Sequence, residues 1–421
     1  MSSTLCQEWE QIALGDLGRI VTGRTPPSSK PELFGDKYPF ITPTDMAFSD
    51  RSIWPERGIS DAGAESLSRI KLPPKTPCFV CIGATIGKLC LTSEESFTNQ
   101  QINSIVVDQK KHSPEFVYYL LCYISEHVKS LAGGAATPII NKTAFSEVPV
   151  VVPSLETQKA IASVLAAYDD LIENNTRRIK ILEEMARRLY EEWFVHFRFP
   201  GHEKVSFKES ELGEIPEGWE IKELGDVAQI NPEVIKPKSA PDEIHYIDIA
   251  SVSPGQIDKA ETMQFANAPG RARRIVRSGD VLWSCVRPNR RSCAMIVEPR
   301  ENTVASTGFA VLRAGSVSKH YLYQHVRADQ FVSYLVNRAT GAAYPAVKAA
   351  DFKEAKIIVP KRDILSDFDK AVAPMRSLIH RLDRKNANLR AQRDLLLPKL
   401  VSGEIDVSDI TMPEDKEVEA A

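Results

Sequence analysis

The chain has 421 residues, 43% hydrophobic and 26% charged, with a formal net charge of −3 at pH 7. That composition allows several globular domains and excludes a uniformly basic nucleic-acid binder, so any DNA-facing surface has to be local. Seven cysteines without framework spacing exclude a disulfide scaffold, Met1-Ser2-Ser3-Thr4 lacks a signal peptide's apolar core, and no apolar run approaches the roughly 18–20 residues that span a bilayer. A soluble, cytoplasmic protein with no membrane partner is expected.

In chain order, Trp9-Glu10 leads through three residues to Leu14-Gly15-Asp16. Short β-prone runs follow at Tyr38–Thr42, Cys78–Ile82, Lys88–Thr92 and Ile102–Val107, separated by Pro and Gly. A helix is expected near Pro114–Ala132, then Gly134-Ala135-Ala136-Thr137-Pro138 and the run Val150-Val151-Val152-Pro153, stopped by a proline that cannot donate to a ladder. Ser154 can N-cap the next helix, with Glu156 well placed in its first turn. The polar, Pro- and Gly-containing stretch from Pro200 to Gly218 reads as a linker.

The pattern then repeats. Trp219-Glu220 and Leu224-Gly225-Asp226 return 210 positions after the first copy, and Gly341-Ala342-Ala343-Tyr344-Pro345, Phe352 and Val359-Pro360 return 207 positions after theirs. The matching β runs are His245–Ile249, Val281–Val286, Cys293–Val297 and Gly308–Leu312, with a helix near Lys319–Ala339 and Asp363 as the second N-cap. Gly403 reads as a helix stop, and Glu404–Ala421 is acidic and expected to be disordered. A chain of two similar halves can fold about an internal two-fold axis and read two pieces of one target.

The two arms share a heptad register. Ile172, Asn175, Ile179, Leu182, Ala186, Leu189 and Trp193 are spaced 3,4,3,4,3,4, and adding 207 gives Ile379, Leu382, Asn386, Leu389, Arg393 and Leu396. That is a coiled-coil seam. Asn175 and Asn386 either fix its register or mark a wet stretch. Pro374 interrupts the second arm, so its long helix is expected to begin after that residue. A helix over 168–197 would span about 45 Å and act as a rigid spacer.

Tests for catalysis fail. Gly83-Ala84-Thr85-Ile86-Gly87-Lys88-Leu89 has three residues between its glycines where a phosphate loop needs four, and Leu89 replaces the magnesium-holding hydroxyl, so a tight glycine turn between strands explains it better. Asn231-Pro232-Glu233-Val234 lacks the second proline and the aromatic of an amino-methyltransferase loop. Cys78-Phe-Val-Cys81 has no second pair to complete a zinc site. Asp242, Glu243 and Asp248 read as surface carboxylates. No catalytic residue, metal or cofactor is assigned to the chain.

The densest local charge is Arg271–Arg291, with seven arginines (271, 273, 274, 277, 287, 290 and 291) against one acid, Asp280. Arginine forks match phosphate and the guanine O6/N7 edge, and Asn289 among them can pair with adenine. A hairpin whose arginines pair with acids elsewhere is the alternative, and DNA contact through Arg271, Arg273, Arg274, Arg287, Asn289, Arg290 and Arg291 is preferred. In the first copy, Arg24, Thr25 and Lys30 lie in a flexible donor-rich loop, with Lys71, Lys75 and Lys88 adding charge and Thr98-Asn99-Gln100-Gln101 offering turn chemistry or base contacts.

These residues resemble the specificity subunit of type I restriction–modification systems. The likeness rests on Thr22-Gly23-Arg24-Thr25-Pro26, Ile41-Thr42-Pro43-Thr44-Asp45-Met46, Thr98–Asn103, Pro153–Ala162 running on to Trp193-Phe194-Val195, Leu212–Trp219 and Arg393–Ile405. The resemblance implies an α+β chain with two target-recognition domains, residues 1–152 and 219–359. Two helical arms, 153–199 and 360–403, would pair as an antiparallel coiled coil with pseudo-two-fold symmetry. Ile172, Ile179, Leu182, Leu189, Ile379, Leu382, Leu389 and Leu396 would form the helix-pairing face. It further implies double-stranded DNA, two methyltransferase subunits and restriction/translocase subunits as partners, with S-adenosylmethionine, ATP and Mg serving those partners. A protein-binding coiled-coil adaptor and a DNA-modifying enzyme are the alternatives.

Overall fold

The computed structural model describes residues 9–46, 51–132 and 138–407. It divides into two compact units, Met1–Arg177 with Asp383–Ala421, and Arg178–Leu382. The first copy of the Gly-Ala-Ala repeat falls largely outside the described residues, as does the acidic tail beyond residue 407.

The two units follow one plan. In the first, a four-stranded antiparallel sheet runs in the order Gly18–Thr22, Ile102–Val107, Pro77–Val80, Leu89–Leu91. In the second the order is Ala228–Ile230, Phe309–Ala314, Val281–Ser284, Cys293–Met295. Each unit adds a second sheet containing one parallel pair: Tyr38–Ile41 beside Phe97–Thr98, and Glu243–Ile247 beside Thr303–Ser306. The expected strands are all present with ends shifted by a few residues.

The repeated anchors pair with each other inside each unit. Glu10–Ala13 lies antiparallel to Pro149–Val152, and Glu220–Glu223 to Lys356–Val359. The Leu-Gly-Asp turn follows each first strand because its apolar residues are core: Leu14, Leu17 and Leu224 are fully buried. Asp16 accepts the Ala13 N–H at 3.0 Å, closing the turn. Gly15 packs closely on Ser146, whose hydroxyl would have to turn aside for a Cβ there. Phe145, packed 5.4 Å from Phe79, and Phe352 sit at the same place in the two cores, both fully buried. Truncating either to alanine costs about 3–5 kcal/mol.

The linker expected over 200–218 is folded: Phe207–Lys208 pairs with Ile215–Pro216, and Phe199 stacks on buried Trp219 with centroids 5.0 Å apart. The expected single helix near Lys319–Ala339 is two, Lys319–Arg327 and Asp329–Arg338, parted by extended Ala328. Trp283 Nε1 donates to the Val326 carbonyl at 2.8 Å and takes an acceptor that a continuous helix needs.

The first long helix is Leu155–Tyr190, N-capped by Ser154 Oγ, which accepts the Thr157 N–H at 3.3 Å. A π-helical turn, Glu191–Val195, ends it. The second is Arg362–Val401. Asp363 lies inside its first turn rather than at the N-cap, where its charge still suits the helix dipole. This helix also corrects the expectation at Pro374, which it passes without a break. Pro374 and Lys370 are exposed, so the carbonyl left without a donor faces solvent, while buried Phe368, Val372 and Arg376 hold the helix on either side. Gly403, at φ +77°, follows the helix end as expected.

Each unit holds an antiparallel stretch of the two helices. In the first, Asn175 Nδ2 donates to Asn386 Oδ1 at 2.8 Å and Arg393 Nη1 meets Asp169 at 2.5 Å. In the second, Glu183 accepts from Arg376 and from Arg327, the latter at 2.6 Å. Ile172, Ile379 and Leu382 are buried, and Ile179, Leu182, Leu189, Leu389 and Leu396 are half-buried. Asn175 and Asn386 are each 3% exposed, so of the two readings offered for them the dry, register-fixing one fits.

Candidate nucleic-acid interface

Both units carry a strand–turn–strand hairpin closed by corresponding bonds, Val80 N–H to the Lys88 carbonyl and Ser284 N–H to that of Ser292, although at the second corner Gly87 N–H donates to Val80 and Arg291 N–H to Pro288. The first, between Pro77–Val80 and Leu89–Leu91, turns through Gly83 and Gly87 at φ +87° and +96°. The second, between Val281–Ser284 and Cys293–Met295, turns through Arg287 and Arg291 at φ +52° and +55°. Gly83 N–H donates to the Pro138 carbonyl at 2.9 Å, and Arg287 N–H to that of Pro345 at 2.7 Å. Ile86 donates back to Gly83, as Arg290 does to Arg287. Cys81 N–H reaches Gln101 and Cys285 N–H reaches Gly308. The two tips are therefore equivalent positions, with glycines at the left-handed corners of one and arginines at those of the other.

Around the second tip, four backbone segments adjoin. Thr307 N–H donates to the Arg271 carbonyl at 2.8 Å, Gly308 pairs with Cys285, and Pro345 pairs with Arg287. The Arg287 guanidinium lies 4.7 Å from the ring centroid of Tyr344, itself 69% exposed. Asn289, Arg290 and Arg291 are exposed. The tyrosine was not selected from sequence, although it is the residue at which the two Gly-Ala-Ala copies differ.

The seven arginines do not act as one patch. Arg271 pairs with Asp248 at 2.7 Å, Arg277 with Glu233 at 2.8 Å and Arg291 with Asp329 at 2.6 Å. Arg273 lies 4.9 Å from the Phe265 centroid. Arg274 is half-buried, its Nε has no hydrogen-bond partner, and burial lowers its pKa. Asp280, the one acid of the segment, is 1% exposed and bound by Arg313 at 2.8 Å. Arg313 and Arg277 hold the Glu233 carboxyl below its usual range. Trp283, which sequence placed among the arginines, is core. Among the described residues Arg273, Arg274, Arg287 and Arg290 are left without an acidic partner, and of these Arg287 and Arg290 stand at the hairpin tip, where Arg290 is exposed.

In the first unit, Arg24 N–H donates to the Thr98 carbonyl at 2.9 Å and Thr25 Oγ1 to Gln100 Oε1 at 2.8 Å. This joins the donor-rich loop to the segment beside the glycine tip. Arg24 and Lys30 are exposed, and Lys88 Nζ donates to the Pro43 carbonyl at 3.0 Å. Lys71 and Lys75 pair with Glu95 and Glu115.

Cys78 and Cys81 pack into different apolar clusters on the two sides of the sheet. Burial pushes the Cys81 and Cys293 thiols up to about 12, and that of Cys285 to about 11. These sulfurs are protonated at neutral pH and are poor nucleophiles. Asn231, at φ +55°, accepts the Val311 N–H with its side chain at 2.9 Å, which occupies it in strand pairing. Among the described residues no three His, Cys, Asp or Glu side chains converge as a metal site needs, and no helix is long and apolar enough to cross a membrane.

Residues 7–184 match the family model for the type I restriction modification DNA specificity domain. The chain is 27% identical over 420 residues to the type I restriction enzyme MjaIX specificity subunit of Methanocaldococcus jannaschii, covering 96% of this chain and 95% of that one. It is 37% identical over 182 residues, 42% of its length, to the HindI specificity subunit of Haemophilus influenzae, of which that stretch covers 39%. The crystal structure of a type I restriction–modification S subunit from M. genitalium shares the fold, with a TM-score of 0.58, 15% identity and coverage of 95% and 98%.

Proposed function

We propose that the chain is a type I restriction–modification specificity subunit, a reading supported by its match to that DNA specificity domain and by its full-length likeness to the MjaIX subunit, and that each unit presents its hairpin tip and the adjoining loops to one half of a split DNA target. The chain works without a catalytic step or cofactor of its own. Its long helices dock two methyltransferase subunits, and the restriction subunits join that assembly. S-adenosylmethionine, ATP and Mg serve those partners.

One observation carries the reading of the second unit. A non-glycine residue in the left-handed region costs about 1–2 kcal/mol. The first unit meets the same two corners with glycine, and the second meets them with Arg287 and Arg291. A hairpin serving stability alone has no use for that substitution. A hairpin that offers guanidinium forks to guanine edges and phosphates does. The first unit's tip is uncharged at its corners and has hydroxyl and amide side chains beside it, Thr25, Gln100 and Gln101. The two halves therefore read different sequences with different chemistry.

The test is Arg287→Ala, Arg290→Ala and Arg291→Ala together, in the complex assembled with its methyltransferase subunits. Mapping of methylated sites is expected to show loss of preference in one half of the target only, with a shallower dependence of binding on salt. An unchanged target and strength would remove this surface from the reading.

A further inference from the structure

The buried polar residues of the long helices are not symmetric between the two copies. In the first unit the first helix supplies the acid, Asp169, and the second helix the base, Arg393, at 5% and 10% side-chain exposure. In the second unit the first helix again supplies the acid, Glu183, and the second again the base, Arg376, at 20% and 8%. The repeat offset of 207 relates Asp169 to Arg376, Glu183 to Arg390, Asn175 to Leu382, Ala186 to Arg393 and Ile179 to Asn386. Each observed pair therefore joins residues whose repeat equivalents have different chemistry.

Replacing one helix by a second copy of the other shows what this does. If the first helix paired with itself in the same register, Asp169 would face Ala186, Glu183 would face Asp169, and Asn175 would face Ile179. If the second paired with itself, Arg393 would face Arg376, Arg376 would face Arg390, and Asn386 would face Leu382. Both self-pairings bury like charges together and strand an asparagine against an aliphatic side chain. Removing one partner of a buried ion pair is strongly unfavourable, and a buried asparagine pair is a known means of fixing helix partnership. The apolar seam carries no such choice at Ile172 and Ile379, Leu182 and Leu389, or Leu189 and Leu396, because these residues are interchangeable across the repeat.

We propose that Asp169–Arg393, Glu183–Arg376 and Asn175–Asn386 make the amino-terminal half of this chain a partner for its carboxy-terminal half and exclude association of either half with a second copy of itself.

The test starts from the full chain. A specific protease site is inserted in the exposed turn at Ser210–Gly213, the folded protein is cut there, and the two fragments are unfolded, refolded together and weighed by native mass spectrometry. Mixed dimers of one amino-terminal and one carboxy-terminal fragment are expected, with like-with-like dimers at least about tenfold rarer. Like-with-like dimers as abundant as mixed ones would overturn the proposal. If the fragments do not refold, the uncut chain decides. Asp169→Arg and Arg393→Asp should each lower the melting temperature, and together should recover most of the loss. Single reversals without effect, or a double variant as weak as the two losses combined, would equally overturn it.

Discussion

Arg287 stands in the second unit where Gly83 stands in the first, each with a positive φ and each donating its N–H to the carbonyl of the repeat's proline. Stability and recognition pull in opposite directions at that corner. Arg287→Gly is expected to raise the stability of the isolated chain by up to about 1 kcal/mol while weakening binding of the assembled complex to its target. Thermal unfolding and DNA titration of the same variant check both signs. A less stable variant would show that the corner is not strained.

Asp329 neutralises Arg291 at 2.6 Å and lies in the first turn of Asp329–Arg338. Asp329→Asn should tighten DNA binding and steepen its salt dependence by about one charge, at a cost of about 0.3–1 kcal/mol from the helix dipole. Binding isotherms at several salt concentrations would reveal the change in slope. An unchanged slope would mean that Arg291 does not reach the duplex.

Burial works to raise the Glu183 carboxyl, but Arg376 and Arg327 outweigh it and hold the group below the ordinary glutamate value of 4.5. The folded form thus binds this proton less readily than the unfolded one. The stabilisation is complete above about pH 4.5 and is lost as pH falls through the lower folded value. Glu183→Gln should lose about 3–5 kcal/mol at neutral pH, because Arg376 is left buried without its counter-charge. Its stability should also fall less steeply than wild type below pH 4.5. Denaturant melts across the acid range measure both effects.

Pro374 is exposed within a continuous helix. Pro374→Ala restores a donor for the Lys370 carbonyl and relieves the ring's crowding of the preceding turn. An increase of about 1–3 kcal/mol is expected, read as a higher melting temperature with unchanged helix content. A decrease would mean that the rigidity the proline ring gives this turn is needed for packing.

The repeat made most of the architecture legible, because two anchors at nearly one spacing locate strands, hairpins and arms twice over. What it could not reveal was partnership. Nothing in Trp9-Glu10 or in Val150–Val152 says that those strands pair with each other, since β pairing is decided by distant chain. Pro374 misled because a local rule about donors says nothing of the apolar contacts on either side of it. The arginine segment misled through its count: charge density is a property of sequence, but Asp248, Glu233 and Asp329, which neutralise three of the seven, come from elsewhere in the fold. The strain at Arg287 and Arg291 was invisible until backbone angles placed them on the glycine corners.

The ribbons Glu10–Ala13/Pro149–Val152 and Glu220–Glu223/Lys356–Val359 set the incoming and outgoing strands of each recognition region side by side. Everything between such strands begins and finishes at one spot. Exchange of that interior by recombination therefore leaves the two helices with unaltered attachment points. On the function proposed above, such a frame would admit new reading heads one at a time, and its specificity could be rewritten without its assembly being renegotiated.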